Sequence, residues 1–365
     1  MNKLLSALAM TSIVGASATA AAADYTIQDL GTLPFGYDRD FAAGINSNGE
    51  VVGYVTTAGD VSRPFRWTMG GGYEVLPSLG GTNAYGFAIN DAGVLVGQSD
   101  TGVGIETRAF RQVPAGPVEP LPTLGGSFGS AQGINSAGAI VGSSHNGSTN
   151  RAFIWQSGSG TTDLGGFTLT GSSSAYDIND LGNVVGSAET AGGDLHAFYF
   201  DGGAFDDIGT LGSGTSSTAL ALNESNVVVG YAGLNPINST YGAFSWTLGG
   251  GIQPLSSLFT YDTRALGINE SNDAVGWSWI NSVGDARAVI WKGLGAVVNL
   301  NDVIDPGSGW LLTSATGIND SGQIVGVGQF GGVSRAYLLT PVPEPASLIA
   351  LALGGAALLR RRRKA

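Results

Sequence analysis

The chain has 365 residues, 43% of them apolar and 12% charged, with 60 glycines and no cysteine. That apolar share excludes a disordered chain, the glycines keep no collagen period, and without thiols there is neither a disulfide framework nor a thiolate metal site. Residues 24–340 carry ten basic and 27 acidic side chains, a net charge of −17, which repels phosphate backbones and excludes nucleic acid as a partner.

At the N-terminus, "MNKLLSALAMTSIVGASATAAAAD" joins a lysine, an apolar stretch and small residues of the A-x-A type. This is the pattern of a secretory signal peptide over 1–23, cleaved after Ala23. A lone strand, "YTIQDL" (25–30), comes next. Then one phrase recurs: "GINSNGEVVGY", "AINDAGVLVGQ", "GINSAGAIVGS", "DINDLGNVVGS", "ALNESNVVVGY", "GINESNDAVGW" and "GINDSGQIVGV". Its asparagines are Asn46, Asn90, Asn135, Asn179, Asn223, Asn269 and Asn319, at intervals of 44, 45, 44, 44, 46 and 50 residues. A period near 44 sets the architecture before any single motif is interpreted.

Each period holds four strand-like pieces. The first ends in the Ile-Asn or Leu-Asn pair, and a polar turn leads to the second, the "VVG" run. The third is "RPFRW", "RAFRQ", "RAFIW", "HAFYF", "GAFSW", "RAVIW" or "RAYLL", and a Gly-rich turn leads to a fourth such as "VEPLPTLGG" or "FDDIGTLG". Apolar residues at consecutive positions of the second strand (Val51 and Val52, Val184 and Val185) predict a strand covered on both faces. The asparagine is turn chemistry, since its side chain bonds the backbone that follows. A nearby glycine supplies positive φ in five copies, and Asn226 and Asn272, the next most tolerant residue, stand in for it in the others.

Four-stranded units repeated radially are propeller blades. The chain opens with a fourth strand and ends with a third, "RAYLLT" (335–340), so the two leftovers complete one blade. The predicted fold is therefore an all-β, seven-bladed propeller over 24–340, closed by pairing of its N- and C-terminal strands. After it, "PVPEPASLIALALGGAALLRRRRKA" contains an uncharged run from Ala346 to Leu359 followed by Arg360, Arg361, Arg362, Arg363 and Lys364. Fourteen helical residues reach roughly 21 Å, short of the roughly 30 Å hydrocarbon core, and snorkelling arginines extend that reach with the positive end cytoplasmic.

This tail (341–365) resembles the PEP-CTERM sorting signal of Gram-negative bacteria, through Val342, Pro343, Glu344 and Pro345, the apolar run, and Arg360 to Arg363. The resemblance implies an exported protein, transiently membrane-anchored by its C-terminus and processed by an exosortase. It also implies residence in the envelope or exopolysaccharide matrix. The repeats resemble the HAF family of extracellular repeats. "HAF" stands at His196, Ala197 and Phe198, "RAF" at Arg108 to Phe110 and Arg151 to Phe153, and "DLG" or "TLGG" at 29–31, 163–165 and 123–126. The sixth copy departs, with Val289 for the Phe and "PLSSL" for "DLGTL", which predicts an irregular blade. The resemblance brings an architecture and a location but no reaction.

Little in the sequence points to catalysis. His196 fills a slot held by arginine in five copies, and His145 lies in a Gly/Ser loop without an evident acid or nucleophile. One carboxylate per turn falls short of the six to eight oxygens of a calcium site, so no metal or other cofactor is expected. The recurring arginines (63, 108, 151, 287, 335) and acids (91, 180, 224, 270, 320) repeat once per blade, as charges that stitch blades do. Trp67, Trp155, Trp246 and Trp291 share one third-strand slot and are core. The slot after "VG" varies instead: Tyr54, Gln98, Ser143, Ser187, Tyr231, Trp277 and Val327. Trp277 and Trp279 share a strand face, and with Trp310 they are the candidate contacts for an extracellular polysaccharide.

These readings favour a non-enzymatic surface or matrix protein. A secreted glycosidase or lyase on the same fold is the alternative, and Asp206 with Asp207, or Asp38 with Asp40, are its nearest carboxylate pairs.

Overall fold

The structure, a computed structural model, describes residues 24–343 apart from 32, 35, 236–239 and 282–284. The expected Ala23 cleavage point and the residues from Glu344 onward, including Pro345 and Arg360 to Arg363, lie outside the described residues.

Blade 1 is built from Arg39–Ile45, Val51–Thr56, Ser62–Thr68 and Gly72–Val75, in chain order from the axis outward. Five further sheets repeat this order over 84–120, 129–165, 173–209, 217–254 and 263–299. Blade 7 takes Trp310–Ile318, Ile324–Phe330 and Val333–Pro341 from one end of the chain and Tyr25–Asp29 from the other. Thr26 faces Thr340 across that antiparallel pair, so the ring closes as the sequence predicts. The protein is a seven-bladed β-propeller.

Blade-to-blade packing is the core. Val96 and Ala109 of blade 2 pack with Ile140, Phe153 and Trp155 of blade 3, and Val185 and Tyr199 of blade 4 with Val228, Phe244 and Trp246 of blade 5. Second strands are buried on both faces for this reason, and the four third-strand tryptophans are all buried. Fully burying one such side chain stabilises by about 1.5–3 kcal/mol. At the closing seam Trp67 packs against Leu30, Val325 and Leu338 and donates its indole N–H to the Leu30 carbonyl at 2.5 Å.

The glycine of each "VVG" answers to a close approach. First and second strands lose register by one residue in every blade, for example between Ala42 and Gly44, and a Cβ on Gly53 would overlap the Phe41 carbonyl. Gly142 stands in the same relation to Ser130. This bulge bends the strand and re-aims one side chain per blade.

Blade 6 is irregular; of the two departures that predict this, Val289 lies in it, whereas "PLSSL" (254–258) starts at the end of the fourth strand of blade 5. The fourth strand of blade 6 is only Val297–Asn299, framed by the 3-10 turns Lys292–Leu294 and Leu300–Asp302. Blade 2 also has a fourth strand of three residues, Val118–Pro120, where the sequence suggests a longer one; prolines at 120 and 122 remove ladder donors there.

The first and last described residues of the propeller lie on the side of the Asn turns. The Val342 N–H bonds the Asp24 carbonyl at 2.8 Å, and a Cβ on Gly322, in the blade 7 turn, would stand 3.2 Å from Pro341.

Candidate functional site

The axial channel has two unlike ends. At the first, each of the seven asparagines caps its own turn: Oδ1 accepts the N–H four residues on, at 2.9–3.0 Å. The turn glycines adopt positive φ (Gly49 77°, Gly93 75°), and Asn226 (58°) and Asn272 (59°) do the same, as expected. The Nδ2 group does something the sequence does not announce. It donates to the carbonyl of the equivalent asparagine one blade on, at 3.0–3.2 Å, from Asn46 through Asn319 and back to Asn46. Seven buried side chains thus form a closed hydrogen-bonded hoop around the axis.

The recurring acids build a second tier on it. Ser47 N–H donates to Asp91, Ser136 to Asp180, Asp180 to Glu224, Glu224 to Glu270 and Glu270 to Asp320, each at 2.7–2.9 Å. The acids therefore stitch neighbouring blades, but through backbone donors and not through the recurring arginines. Two of those arginines hold loops at the other end: Arg63 donates to the Thr82 carbonyl at 2.6 Å, and Arg151 to that of Gly171 at 2.5 Å. The mouth enclosed by the acids has a volume of about 280 Å³. Desolvation raises the Glu224 pKa, and the charges of Asp180, Glu270 and Asp320 add to the rise.

Asp177 breaks the symmetry of this end. It stands where other blades have Gly44, Ala88, Gly133, Ala221, Gly267 and Gly317. Its carboxylate accepts the N–H of Ile178 at 2.9 Å and that of Leu222 in the next blade at 3.1 Å, yet desolvation still pushes its pKa up to about 7.

At the second end the bulged residue of each blade turns to the axis: Ala43, Phe87, Gln132, Tyr176, Leu220, Leu266 and Thr316. With Phe41 and Tyr54 they line an apolar mouth of about 350 Å³, the lower end of the size range of small-ligand sites. Rings gather around it. Phe41 stacks on Tyr54 at 4.9 Å, and Tyr54 meets Tyr85 edge-on at 4.9 Å. On the other side the Arg264 guanidinium lies 4.2 Å from the Tyr231 ring, 5.0 Å from Tyr241 and 5.2 Å from Trp277. Connecting loops at this end carry exposed apolar side chains, among them Ile105, Leu169, Phe259 and Tyr261.

Trp277 and Trp279 do come together: their half-buried rings stack at 5.7 Å and 27° beside Arg264. Trp310 belongs to a different cluster, stacked at 5.2 Å on Phe330 and edge-on to Tyr337 in blade 7. His196 bonds Asp207 at 2.9 Å across its own blade, and His145 accepts the Gly147 N–H. Asp38 pairs with Arg39, whereas Asp40 is buried at the closing seam. There it accepts the Tyr73 hydroxyl, and desolvation raises its pKa to about 6. No group of three His, Asp or Glu side chains among the described residues is arranged to hold a metal ion. Sequence reasoning missed the asparagine hoop and the ring of bulged residues. The visible signal for the latter was the variable residue three before each asparagine.

Residues 341–364 match the PEP-CTERM protein-sorting motif. The chain thus carries the signal of an exported protein that is handled at the membrane by an exosortase-type enzyme. Val342 lies at the end of the closing blade, and no helix among the described residues is long and apolar enough to cross a membrane. The fold is similar to the β-propeller domain of the Trilobed protease from Pyrococcus furiosus. The TM-score is 0.55 at 9% identity, over 83% of this chain and 95% of that one. That domain is described as having an open velcro topology, whereas here a strand from the other terminus completes the last blade. An oligogalacturonate lyase in complex with manganese is similar with a TM-score of 0.54 at 12% identity, over 87% and 93% of the two chains. At these identities the likeness is one of fold. No curated protein sequence matches the chain.

Proposed function

We propose that this is an exported, HAF-type propeller of the cell envelope or matrix, without a reaction of its own. In this reading it binds an extracellular polysaccharide at the aromatic end of its channel. The observation that carries the reading is the segregation of side chains between the two ends. Carboxylates and asparagines at one end are spent on holding blades together, while half-exposed rings flank an apolar mouth at the other. Aromatic faces bind the C–H faces of sugars without charge, which suits a domain carrying −17. The closing strand ends at the Asn side, so a membrane tether attached beyond it turns the aromatic end outward.

A glycosidase or lyase would need a carboxylate pair or a base at this mouth. The side chains lining it are aromatic, aliphatic, Gln132 and Thr316. The test is a glycan array probed with the exported protein, with and without calcium. We expect neutral polysaccharides to bind, and Trp277→Ala with Trp279→Ala to weaken them about thirtyfold, the effect of losing a hot spot of about 2 kcal/mol. An empty array overturns the reading, and new reducing ends released from a bound glycan establish the enzyme instead.

A further inference from the structure

The aromatic mouth differs from blade to blade around the ring. Where first and second strands face each other above the bulge, blade 1 pairs Phe41 with Tyr54 and blade 2 pairs Tyr85 with Gln98. Blade 5 presents Tyr231, and blade 6 pairs Arg264 with Trp277. Blade 4 has serines in this position, and its ring is that of the bulged residue, Tyr176, which lines the mouth. Blades 3 and 7 have no ring at this level: Ser130 faces Ser143, with Gln132 bonded to Ser130 at 2.7 Å, and Ser314 faces Val327, the Trp310 and Phe330 rings of blade 7 standing farther out along the strands. At this level two walls of rings, on blades 1–2 and 4–6, are thus separated by ringless gaps at blades 3 and 7. In a ring of seven those gaps are nearly opposite, and a line between them crosses the axial mouth.

Resting on the glycan reading above, we infer that the ligand is an extended, uncharged polysaccharide lying across the mouth in this trough, from blade 7 to blade 3. A chain end inserted along the axis would be gripped by a collar, and the collar is interrupted where the serines stand. A chain laid across passes through both gaps and meets rings on either side. Charge supports an uncharged occupant. Arg39 is bonded to Asp60 at 2.7 Å and Arg264 to Asp262 at 3.3 Å, so the cations in the walls are already neutralised, and the net −17 repels a polyanion. Geometry supports an extended one. The apolar run begins at Ala346, four residues after Val342 on the far side of the propeller, so a tethered molecule offers the trough to polymers in the surrounding matrix.

The experiment titrates the exported protein with dimers and hexamers of β-1,3-glucan, β-1,4-glucan and β-1,4-mannan, and with polygalacturonate. The variants are Ser143→Tyr and Val327→Tyr, which place in each gap the tyrosine that blades 1 and 5 already carry there, with thermal unfolding to confirm the fold. One neutral hexamer should bind at least about tenfold more tightly than its dimer, and either variant should remove that advantage. Hexamer binding untouched by both variants overturns the crossing geometry but leaves glycan binding intact. Polygalacturonate binding more tightly than every neutral chain overturns the uncharged ligand. Absence of binding across the whole panel overturns the glycan reading itself.

Discussion

Gln132, on the first strand of blade 3, and Asn135, just past the end of that strand, are three residues apart and serve opposite ends of the same channel. Asn135 is buried, and its amide both caps its own turn and reaches the Asn179 carbonyl of the next blade. Gln132 sits on the bulge, half exposed, with one hydrogen bond to Ser130. Every blade repeats the asparagine, whereas at the bulge only blades 5 and 6, with Leu220 and Leu266, agree. Identical residues can close a ring because each one's donor meets the next one's acceptor. A recognition surface has the opposite need, since seven equivalent positions offer nothing to orient a ligand.

Removing ring closure is the harshest test of this contrast, because the hoop needs all seven blades. Deletion of residues 24–31 takes away the strand that pairs with 333–341 and exposes a strand edge. We expect loss of cooperative unfolding or aggregation. A truncated protein that unfolds at the parent temperature would show that the hoop holds without the closing strand.

A finer cut compares the two residues above. Asn135→Ala strips the Ala139 N–H of its side-chain acceptor and the Asn179 carbonyl of one of two donors, the Gly182 N–H remaining, and should cost about 2–3 kcal/mol, whereas Gln132→Ala should cost less than about 1 kcal/mol. Chemical denaturation measures both. Equal costs would mean that the two ends share the structural work.

Acidity should separate the ends as well. The folded-state pKa values of Asp40, about 6, and Asp177, about 7, are raised above the ordinary carboxylate value. The folded protein thus holds protons that the unfolded chain releases, and stability falls as pH rises from about 4 to 7. Melting temperature should be higher at pH 5 than at pH 8, and Asp177→Asn should shrink that difference. An unchanged pH dependence in the variant would assign it to other groups.

The smallest expected effect is at the acidic tier. Asp320→Asn keeps an acceptor for the Glu270 N–H and removes one charge from a crowded ring, so stability should move by no more than about 0.5 kcal/mol and glycan binding not at all. A binding defect from this substitution, read on the same array, would place ligand at the wrong end of the channel.

Much of this molecule was legible in the sequence because its determinants are local. The turn of Asn179 spans five residues, and the residues that specify it lie inside that span. The 44-residue period, the unpaired strands at the two ends and the core tryptophans all follow from strand patterning, as does the sorting tail from its motif. The hoop was not legible, since the bond from Asn179 to Asn223 crosses 44 residues and exists only when the sheets are set around an axis. Nor was the channel lining. Alternation along a strand predicts which face a residue takes, and a bulge shifts the count by one at the position that matters. Trp277 and Trp279 could be placed on one face from their spacing, but their neighbours Arg264 and Tyr231 come from another strand and another blade. Chemistry carried by nearby residues is written in the sequence; the trough, made of side chains from seven separate sheets, was decided by the ring.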